Sequence, residues 1–296
     1  MKNDDKMSAV FPATASLEDH KRAILDVLQE FDRVCKELDI PYVLFAGSML
    51  GAVRHQGFIP WDDDADVLML RKDYERFFNE VDRVVDSERF YVQKEFSEHW
   101  PMFFSKLRMN NTTCIEKHHP KDKDIHQGVY IDIFPCDNAA RTEFGRKLQF
   151  YASKVVIAKS LDRKGYITNS RRKKMFIAAC RLLPEKIFWR FATKGRADSR
   201  FVHTFFASAS KYSKNVYPRE YVSEISNATF EGGTYPISRH YDALLKIIYG
   251  DYMQLPPPEE RRIKQHAVFV DLNNSYEKYL DYHKNLKFDD LSQSIR

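Results

Sequence analysis

The sequence predicts an α+β fold, in which a mixed sheet is flanked by helices and is followed by a basic helical region. Three patterns support this prediction. The chain opens with apolar residues at helical spacing, continues with short apolar segments separated by turn residues, and becomes helical and rich in Lys and Arg after about residue 140. A chain of 296 residues that is 43% hydrophobic can also bury a sizeable core.

The predicted elements follow one another in a clear order. Residues 16–38 have the apolar spacing of an amphipathic helix, with Ser16 and Asp19 forming a variant of the capping box at its start. The segment 41–47 is typical of a short strand that ends at a glycine, and 48–57 of a helical turn and loop. Further strands are expected at 65–70, 90–96, 102–109 and 128–135, and further helices at 71–85 and 241–250, the last ended by Gly250 before a rigid proline-rich segment at 255–262.

Charge is distributed unevenly along the chain, although the net charge is only +5. Residues 141–219 contain 20 Lys or Arg against four Asp or Glu, an excess of 16 positive charges that leaves −11 for the remainder. Such a segment is either a set of solvated helices or a contact for phospholipid head groups, a phosphate-bearing polymer or nucleic acid. Residues 170–191 mix cations with large apolar side chains, which favours a helix at a membrane surface.

The sequence predicts neither export nor membrane insertion. Its four cysteines, Cys35, Cys114, Cys136 and Cys180, form no Cys-x-x-Cys pair, which suits a reducing compartment and gives no zinc framework. The N-terminal MKNDDKMSAV lacks the apolar core of a signal peptide. No apolar run approaches the ~20 residues of a spanning helix. We therefore expect a cytoplasmic protein.

Four carboxylates crowd the segment IPWDDDADVLML at 59–70. If this segment is extended, Asp62, Asp64 and Asp66 point to one side and Asp63 points to the other. Like charges at i and i+2 lie about 6–7 Å apart and repel each other. Mg²⁺ would compensate the repulsion, because it binds carboxylates together with substrate phosphates. The alternative is a solvated acidic turn, since Asp is a common turn residue.

Two further features favour a metal and phosphate site. Gly47 and Ser48 stand between a predicted strand and a predicted helix start, where free backbone N–H groups and a hydroxyl suit a phosphate. Asp132 lies within the apolar strand segment GVYIDIFP. Burying a carboxylate there is costly unless it is paired or coordinated, or, alternatively, satisfied by hydrogen bonds alone.

Several motifs resemble the LicD family of the nucleotidyltransferase superfamily: GSMLGAVRHQGFIPWDDDADV, KLRMNNTT, YIDIFPCDN, FEGGTYPI and IIYGDYMQLPPPEERR. This family includes bacterial phosphocholine transferases and is related to the fukutin group, and the resemblance covers residues 25–138 and 228–266. It implies a nucleotidyltransferase-like catalytic core at 1–140, a basic helical region at 141–220, and a C-terminal segment at 221–296 that completes the active site.

The resemblance also implies a reaction and its residues. Family members transfer the phospho-alcohol of a CDP-linked alcohol, CDP-choline in the best-known cases, to a sugar hydroxyl and release CMP. Asp64 and Asp66 would hold Mg²⁺, or alternatively Mn²⁺, while Asp132 would complete the metal site or act as general base. The remaining expected contributors are Asp62 at the metal and, for phosphate or substrate, Gly47, Ser48, Arg54, Lys106, Arg108 and Tyr249. Lys106 and Arg108 share one face of a strand, which could instead be a solvated face.

A quaternary ammonium group is held by aromatic faces. The candidates are Trp61, Trp100, Phe103, Phe104, Tyr130 and Tyr249, and the sequence does not choose among them. The expected acceptor is a cell-surface glycan or its lipid-linked precursor, with the basic residues 141–219 holding the protein at the inner, anionic face of the membrane.

Other functions stay open at this stage. A transferase for CDP-ribitol or CDP-glycerol would also release CMP, whereas a true nucleotidyltransferase would use the same carboxylates and release pyrophosphate. A non-catalytic nucleic-acid-binding protein would explain the basic segment, but the carboxylate cluster would repel nucleic acid unless metal is bound. We therefore expect no nucleic-acid partner.

Overall fold

The computed structural model describes residues 14–116, 125–166, 168–195, 198–207, 211–261 and 266–280. Its helices in these ranges are α1 (Leu17–Glu37), α2 (Ala46–His55), α3 (Arg71–Glu80), α4 (Glu143–Lys164), α5 (Arg171–Arg181), α6 (Glu185–Thr193), α7 (Glu220–Ser223), α8 (Tyr241–Tyr249) and α9 (Pro258–Arg261). Its strands are β1 (Val43–Leu44), β2 (Asp66–Leu70), β3 (Phe90–Gln93), β4 (Ser105–Met109), β5 (Thr113–Glu116), β6 (Tyr130–Asn138), β7 (Phe201–His203), β8 (Val216–Pro218), β9 (Ile225–Phe230), β10 (Gly233–Ser238) and β11 (Ala267–Asp271). This mixture confirms the predicted α+β class.

A mixed sheet forms the centre of the fold, with strand order β1-β2-β6-β4-β3. Strands β2 and β6 run parallel, while the other neighbours on this path run antiparallel. The far end of β6 pairs with β7, and β7 pairs with β8. Strands β9 and β10 form one separate two-stranded sheet, and β5 and β11 form another.

Strand β2 is buried on both faces, because Val67, Leu68 and Met69 are all inaccessible to solvent. Double burial explains why this strand is a continuous apolar run rather than an alternating one. Helices α1 and α3 contact each other through Phe31 and Phe77, whose ring centroids lie 5.1 Å apart. A slip of one residue would reverse every side chain of β2 and turn Asp66 to the other face, so the placement of its carboxylate depends on the register in which it meets Asp132 of β6.

Helix α1 begins as the sequence predicts. Ser16 Oγ accepts a hydrogen bond from the backbone N–H of Asp19 over 3.1 Å, as in a capping box. Further along the helix, Lys21 Nζ donates to the carbonyl oxygens of Ile59 (3.3 Å) and Pro60 (3.0 Å). The first helix therefore holds the loop that leads into the acidic cluster.

The strand predicted at 41–47 is shorter in the structure. Strand β1 ends at Leu44, and α2 begins at Ala46, so Gly47 and Ser48 lie in the first turn of a helix and not at a strand end. Only two residues pair with β2, because the backbone turns into the helix at Phe45. The predicted helical turn is accordingly a ten-residue helix.

The basic segment starts with the predicted helices but ends in strands that the sequence did not predict. Strands β7 and β8 have three residues each, which is too short to show an alternating pattern. Asp137 and Asn138 of β6 pair with His203 and Val202 of β7, so this segment joins the central sheet. Within the described ranges, none of the helices combines the length and the apolar character needed to cross a membrane.

Asp63 links the acidic segment to the C-terminal part of the chain. Its buried carboxylate accepts hydrogen bonds from the backbone N–H of His266, at 2.8 and 2.9 Å, and from that of Ala267, at 2.9 Å. Bonds between an ionised carboxylate and N–H groups are stronger than neutral ones. Asp63 therefore fixes the start of β11 beside the acidic cluster.

We predict that Asp63→Ala lowers the free energy of unfolding by about 1.5–3 kcal/mol, because charge-assisted hydrogen bonds are lost and partly buried N–H groups lose their acceptor. Urea denaturation measures the change. The matched control is Asp26→Ala at an exposed position of α1, which should shift the value by less than about 0.5 kcal/mol. Equal stability of the two variants would contradict the anchoring role of Asp63.

Candidate active site

A cavity of about 1030 Å³ opens where the central sheet meets α2, the end of α4 and the C-terminal segment. Asp62, Asp64 and Asp66 line it, whereas Asp63 and Ala65 are buried on the opposite side. The predicted alternation of side chains along 62–66 is therefore present. The cavity is also lined by Gly47, Leu50, Arg54, Glu116, Asp132, Phe134, Leu161, Lys164, Tyr166, Tyr249, Tyr252 and His266.

The pairing of β2 with β6 brings the third predicted carboxylate to the same place. Asp66 and Asp132 are direct neighbours in this parallel pair, and Asp132 N–H donates to the carbonyl oxygen of Ala65 over 2.9 Å. Neighbouring strands lie about 4.8 Å apart. Two residues that are 66 positions apart in sequence therefore present their carboxylates side by side at the cavity wall.

The crowding of negative charge shifts the protonation of these groups. Burial raises the pKa of Asp64 well above its usual range, and the carboxylates of Asp66, Asp62 and Asp132 raise it further. Burial likewise raises the pKa of Asp66, with Asp132 and Asp62 adding to the effect and Lys106 opposing it. Without a compensating cation, the cluster therefore holds protons that an exposed Asp would release.

Gly47 and Ser48 arrange these carboxylates through their own geometry. A Cβ atom on Gly47 would lie 2.8 Å from Asp62 Oδ2, so a larger residue here would require that carboxylate to shift. Ser48 is buried, and its Oγ accepts a hydrogen bond from Asp66 N–H over 2.8 Å. Gly47 lines the cavity at the first turn of α2, where backbone N–H groups favour an anion. The Ser48 hydroxyl instead holds the start of β2.

Lys106 is a buried cation directly behind the carboxylates. Only 1% of its side chain is exposed, and its Nζ lies 2.8 Å from Asp132 Oδ1 and 3.5 Å from Glu116 Oε1. The same ammonium sits 3.2 Å from the ring centroid of Tyr130. Lys106 thus offsets part of the negative charge and fixes the orientation of Asp132.

Arg108 shares the strand face with Lys106, as predicted, but it does not line the cavity. Its Nε donates to Gln93 Oε1 over 2.7 Å, and its Nη1 donates to the carbonyl oxygen of Gly128 over 2.9 Å. The guanidinium also lies 4.9 Å from the Tyr130 ring. The structure therefore places Arg108 in a buried network behind Lys106 instead of in the phosphate contact that the sequence suggested.

Three cavity residues carried no recognisable signal in the sequence: Glu116, Lys164 and His266. Burial alone would raise the pKa of Glu116, but Lys106, Lys164 and Arg108, together with a hydrogen bond from Tyr130, hold it well below its usual range. Lys164 comes from the last turn of α4, and burial lowers its pKa. His266 Nε2 lies 3.3 Å from Asp64 Oδ2. Each belongs to a part of the chain that only folding brings to the acidic segment.

Arg54 reaches the cavity from the last turn of α2, as predicted. Its Nη1 donates to the carbonyl oxygen of Tyr252 over 2.6 Å, and burial lowers its pKa. This contact joins α2 to the segment after α8. Arg54 and Lys164 therefore both bring a cation to the cavity lining.

The structure separates the six aromatic candidates. Trp61 and Tyr249 line the cavity, whereas Trp100, Phe103, Phe104 and Tyr130 do not. The rings of Trp100, Phe104 and Tyr130 surround the Lys106 ammonium, at centroid distances of 5.4, 5.7 and 3.2 Å. Arg261 covers Trp61 at 4.9 Å. Tyr249, with Tyr166 and Tyr252 nearby on the lining, is left as the aromatic surface for a ligand.

The donor set fits a hard divalent ion that is held partly by substrate. Among the residues that the structure describes, no group of three Asp, Glu, His or Cys side chains is arranged to hold a metal ion by itself. Mg²⁺ in phosphoryl-transfer sites commonly takes one or two carboxylates and fills its remaining positions with water and substrate phosphates. Asp64 and Asp66 fit that mode, whereas Asp132 is already paired with Lys106. Asp62 also lines the cavity, so the ligand set of Asp62, Asp64, Asp66 and Asp132 stays a prediction.

Comparison with known proteins supports the resemblance seen in the motifs. Residues 39–160 match the family model described as LicD/FKTN/FKRP, nucleotidyltransferase domain. This range contains Gly47, the acidic cluster, Asp132 and the first part of α4. The domain match therefore runs past the boundary at residue 140 that the sequence suggested.

The chain is also similar to individual proteins. It is 25% identical to the lipopolysaccharide cholinephosphotransferase LicD of Haemophilus influenzae over 277 residues, covering 83% of this chain and 95% of that protein. Shorter matches are to two uncharacterized proteins, one of Rickettsia typhi (34% identical, covering 39% of this chain and 34% of that protein) and one of Rickettsia prowazekii (35% identical, covering 17% and 19%). These likenesses agree with the LicD resemblance of the motifs, because the family model matches residues 39–160 and the match to a LicD cholinephosphotransferase extends over most of the chain.

Proposed function

We propose that the protein transfers phosphocholine from CDP-choline to a sugar hydroxyl of a cell-surface glycan or its lipid-linked precursor, and releases CMP. The observation that carries the proposal is the meeting of Asp64, Asp66, Asp132 and the cation Lys164 around one cavity, with Lys106 paired to Asp132 from behind. The long match to a cholinephosphotransferase supports the choice of phosphocholine. Phosphoryl transfer requires positioning and charge compensation more than covalent participation by the protein.

The proposed step is an in-line displacement at the phosphorus that bears choline. The acceptor oxygen forms a bond to this phosphorus, the bond from phosphorus to the bridging oxygen of the diphosphate breaks, and CMP departs with the bond electrons. Asp132, oriented by Lys106, accepts the proton of the acceptor hydroxyl. Lys164 and Arg54 stabilise the negative charge on the phosphate oxygens from the lining of the cavity.

Asp64 and Asp66 would hold Mg²⁺, with Mn²⁺ as the alternative, at the wall of the cavity. When bound, the ion would neutralise charge on the diphosphate oxygens. Its positive charge would also relieve the repulsion that raises the pKa of both carboxylates. Gly47 supplies backbone N–H groups at the start of α2 for a neighbouring phosphate oxygen.

The acceptor determines where the reaction would take place. A lipid-linked glycan precursor would be presented at the cytoplasmic face of a membrane. The excess of 16 positive charges in residues 141–219 has the sign needed to hold a protein against anionic lipids there.

Two other reactions use the same residues. Transfer from CDP-ribitol or CDP-glycerol differs only in the alcohol, and a true nucleotidyltransferase would join a nucleotide to its acceptor and release pyrophosphate. The aromatic lining by Tyr166, Tyr249 and Tyr252 favours a quaternary ammonium over a polyol. A nucleic-acid-binding role is disfavoured by the carboxylates that line the cavity.

A donor panel tests the proposal directly. The protein is incubated with Mg²⁺, a glycan acceptor and, separately, CDP-choline, CDP-ribitol, CDP-glycerol or CTP, and both CMP and pyrophosphate are measured. CMP from CDP-choline alone supports phosphocholine transfer. CMP from CDP-ribitol or CDP-glycerol would show that the transferred alcohol is a polyol and not choline. Pyrophosphate from CTP would show that the protein is a true nucleotidyltransferase.

We predict that Asp66→Asn reduces CMP release by at least a thousandfold, because one carboxylate of the metal pair becomes a neutral amide. The same change should abolish the increase in melting temperature that Mg²⁺ gives the wild-type protein, which differential scanning fluorimetry measures. The matched control is Asp26→Asn on α1, which should retain both activity and the response to Mg²⁺. An Asp66 variant that is still stabilised by Mg²⁺ would contradict the proposed ligand.

We predict a pH-dependent stability difference between metal-free wild-type protein and Asp64→Asn. The folded pKa of Asp64 is raised, so its contribution to stability is fully present below the unfolded pKa of about 3.9 and is lost as pH rises towards the folded pKa. Relative to the variant, the wild-type protein in EDTA should therefore become less stable as pH rises through this window. Urea midpoints measured from pH 4 upwards, in steps of about one unit, test this sign. A difference that stays constant with pH would show that Asp64 is not perturbed.

We predict that Tyr249→Ala raises KM for CDP-choline about tenfold, because a cation–π contact contributes roughly 1–2 kcal/mol when it is partly desolvated. The KM for CDP-glycerol should change much less, since a polyol has no cation. Tyr241→Ala, on the same helix but outside the cavity lining, is the matched control. Equal losses for both donors would remove Tyr249 from head-group recognition.

A further inference from the structure

The helices of the basic segment expose an unusual set of large apolar side chains. They belong to α4, α5 and α6 and include residues that are half or more open to solvent, such as Phe144 (74% exposed) and Tyr151 (66% exposed). We define the α4–α6 face by six of these residues: Phe144, Leu148, Tyr151, Phe176, Ile187 and Phe191. Isolated exposed apolar residues are ordinary, but a contiguous group marks an interaction surface.

The exposed residues of α4 continue a stripe that is buried further along the same helix. Phe144, Leu148 and Tyr151 are spaced as i, i+4 and i+7, and Val155 and Ala158 follow on that line. Val155 and Ala158 are buried against Cys180 of α5. Helix α5 therefore covers the second half of the stripe and leaves the first half open.

Helix α6 adds its apolar residues beside this open half. It runs antiparallel to α4, because Arg163 pairs with Glu185 at one end while Gln149 Nε2 donates to the carbonyl oxygen of Ala192 at the other. Phe188 of α6 packs on the small cluster of Val155, Ala158 and Cys180. Phe191 lies about one turn further along α6, in the direction of the open half of the α4 stripe, and is 60% exposed.

The charges of the segment are not neutralised from within it. Each of its four acidic side chains already faces a basic side chain of the same segment, in the pairs Glu143–Lys147, Asp162–Arg181, Glu185–Arg163 and Asp198–Arg141. The acidic side chains of the segment therefore leave an excess of 16 positive charges in it, of which one, Lys164, faces Glu116 in the cavity.

Part of this positive charge lies in the first turn of α5, where it would destabilise an isolated helix. Arg171, Arg172, Lys173 and Lys174 are all exposed there, and the turn contains no acidic residue. Cations at a helix N-terminus oppose the helix dipole. An anionic surface against this turn would offset that cost, while Phe176 one turn later offers an apolar contact.

We propose that the α4–α6 face binds the surface of a bilayer that contains anionic phospholipid. Large apolar side chains interleaved with Lys and Arg match both layers of a membrane interface, the acyl boundary and the charged head groups. A second copy of this chain would bring two strongly basic surfaces together. A soluble polyanion would satisfy the cations but leave the apolar side chains exposed to water. The proposal goes beyond the transfer reaction and does not depend on it.

Vesicle co-sedimentation of the full-length protein tests the proposal without substrate. Vesicles of phosphatidylcholine alone are compared with vesicles containing equal parts of phosphatidylglycerol and phosphatidylcholine, at low salt and at about 0.15 M salt. The wild-type protein should sediment with the anionic vesicles and not with the neutral ones. Replacing Arg171, Arg172, Lys173 and Lys174 together by Gln should weaken binding roughly a hundredfold.

A second variant tests the apolar half of the face. The triple change Phe144→Ser, Leu148→Ser and Tyr151→Ser should also weaken binding, and the remaining binding should be more sensitive to salt because only electrostatic attraction is left. The matched charge control replaces Arg22, Lys36, Arg83 and Lys246 by Gln, all exposed and outside the basic segment, and should bind like wild type.

Three results would overturn the proposal. The charge control could lose as much binding as the α5 variant, or the triple apolar variant could bind as well as wild type. The third is a wild-type protein that does not bind anionic vesicles. Light scattering that shows a dimer abolished by the triple change would assign the face to self-association instead. CMP release with a soluble acceptor is measured in parallel and should be unchanged in both variants. Absence of CMP release in the wild-type protein would refute the transfer reaction and leave the vesicle result standing.

Discussion

The parallel pairing of β2 with β6 is the constraint on which the site depends. It makes Asp66 and Asp132 direct neighbours, and the alternation of the preceding residues adds Asp62 and Asp64 to the same cavity wall. This arrangement is electrostatically unfavourable, as the raised pKa values of Asp64 and Asp66 indicate. The register of β2 keeps these carboxylates together, since a slip of one residue would turn Asp66 to the other face of the sheet.

Groups from several parts of the chain lie near these carboxylates, and the cations among them offset part of the negative charge. Lys106 comes from β4, Lys164 from the basic segment, and His266 from the start of β11. Asp63 is a carboxylate like its neighbours, but it faces the other way and accepts hydrogen bonds from backbone N–H groups. Adjacent residues of one type thus make different contacts, with backbone N–H groups on one side and the cavity on the other, and only the direction of the side chain separates them.

Much of the fold and the centre of the site could be predicted from local pattern. The capped first helix, the apolar strand after the acidic cluster and the helix ended by Gly250 follow from spacing and turn residues. The short strands β7 and β8 could not be predicted, because three residues show no period. Arg108 appeared equivalent to Lys106 in sequence, yet its length carries it to Gln93 and Gly128. The aromatic candidates could not be ranked from the sequence, because contacts such as that of the Tyr130 ring with the Lys106 ammonium depend on how separate strands pack.

The sequence by itself determined that alternate carboxylates of one extended segment would face the same way, since a strand has a period of two. It also indicated the resemblance to the LicD family, because the motifs around these residues are local. Only the tertiary structure decided which groups surround them. Glu116, Lys164 and His266 are far from the acidic segment in sequence, and their proximity follows from strand pairing and helix packing, which no local pattern encodes.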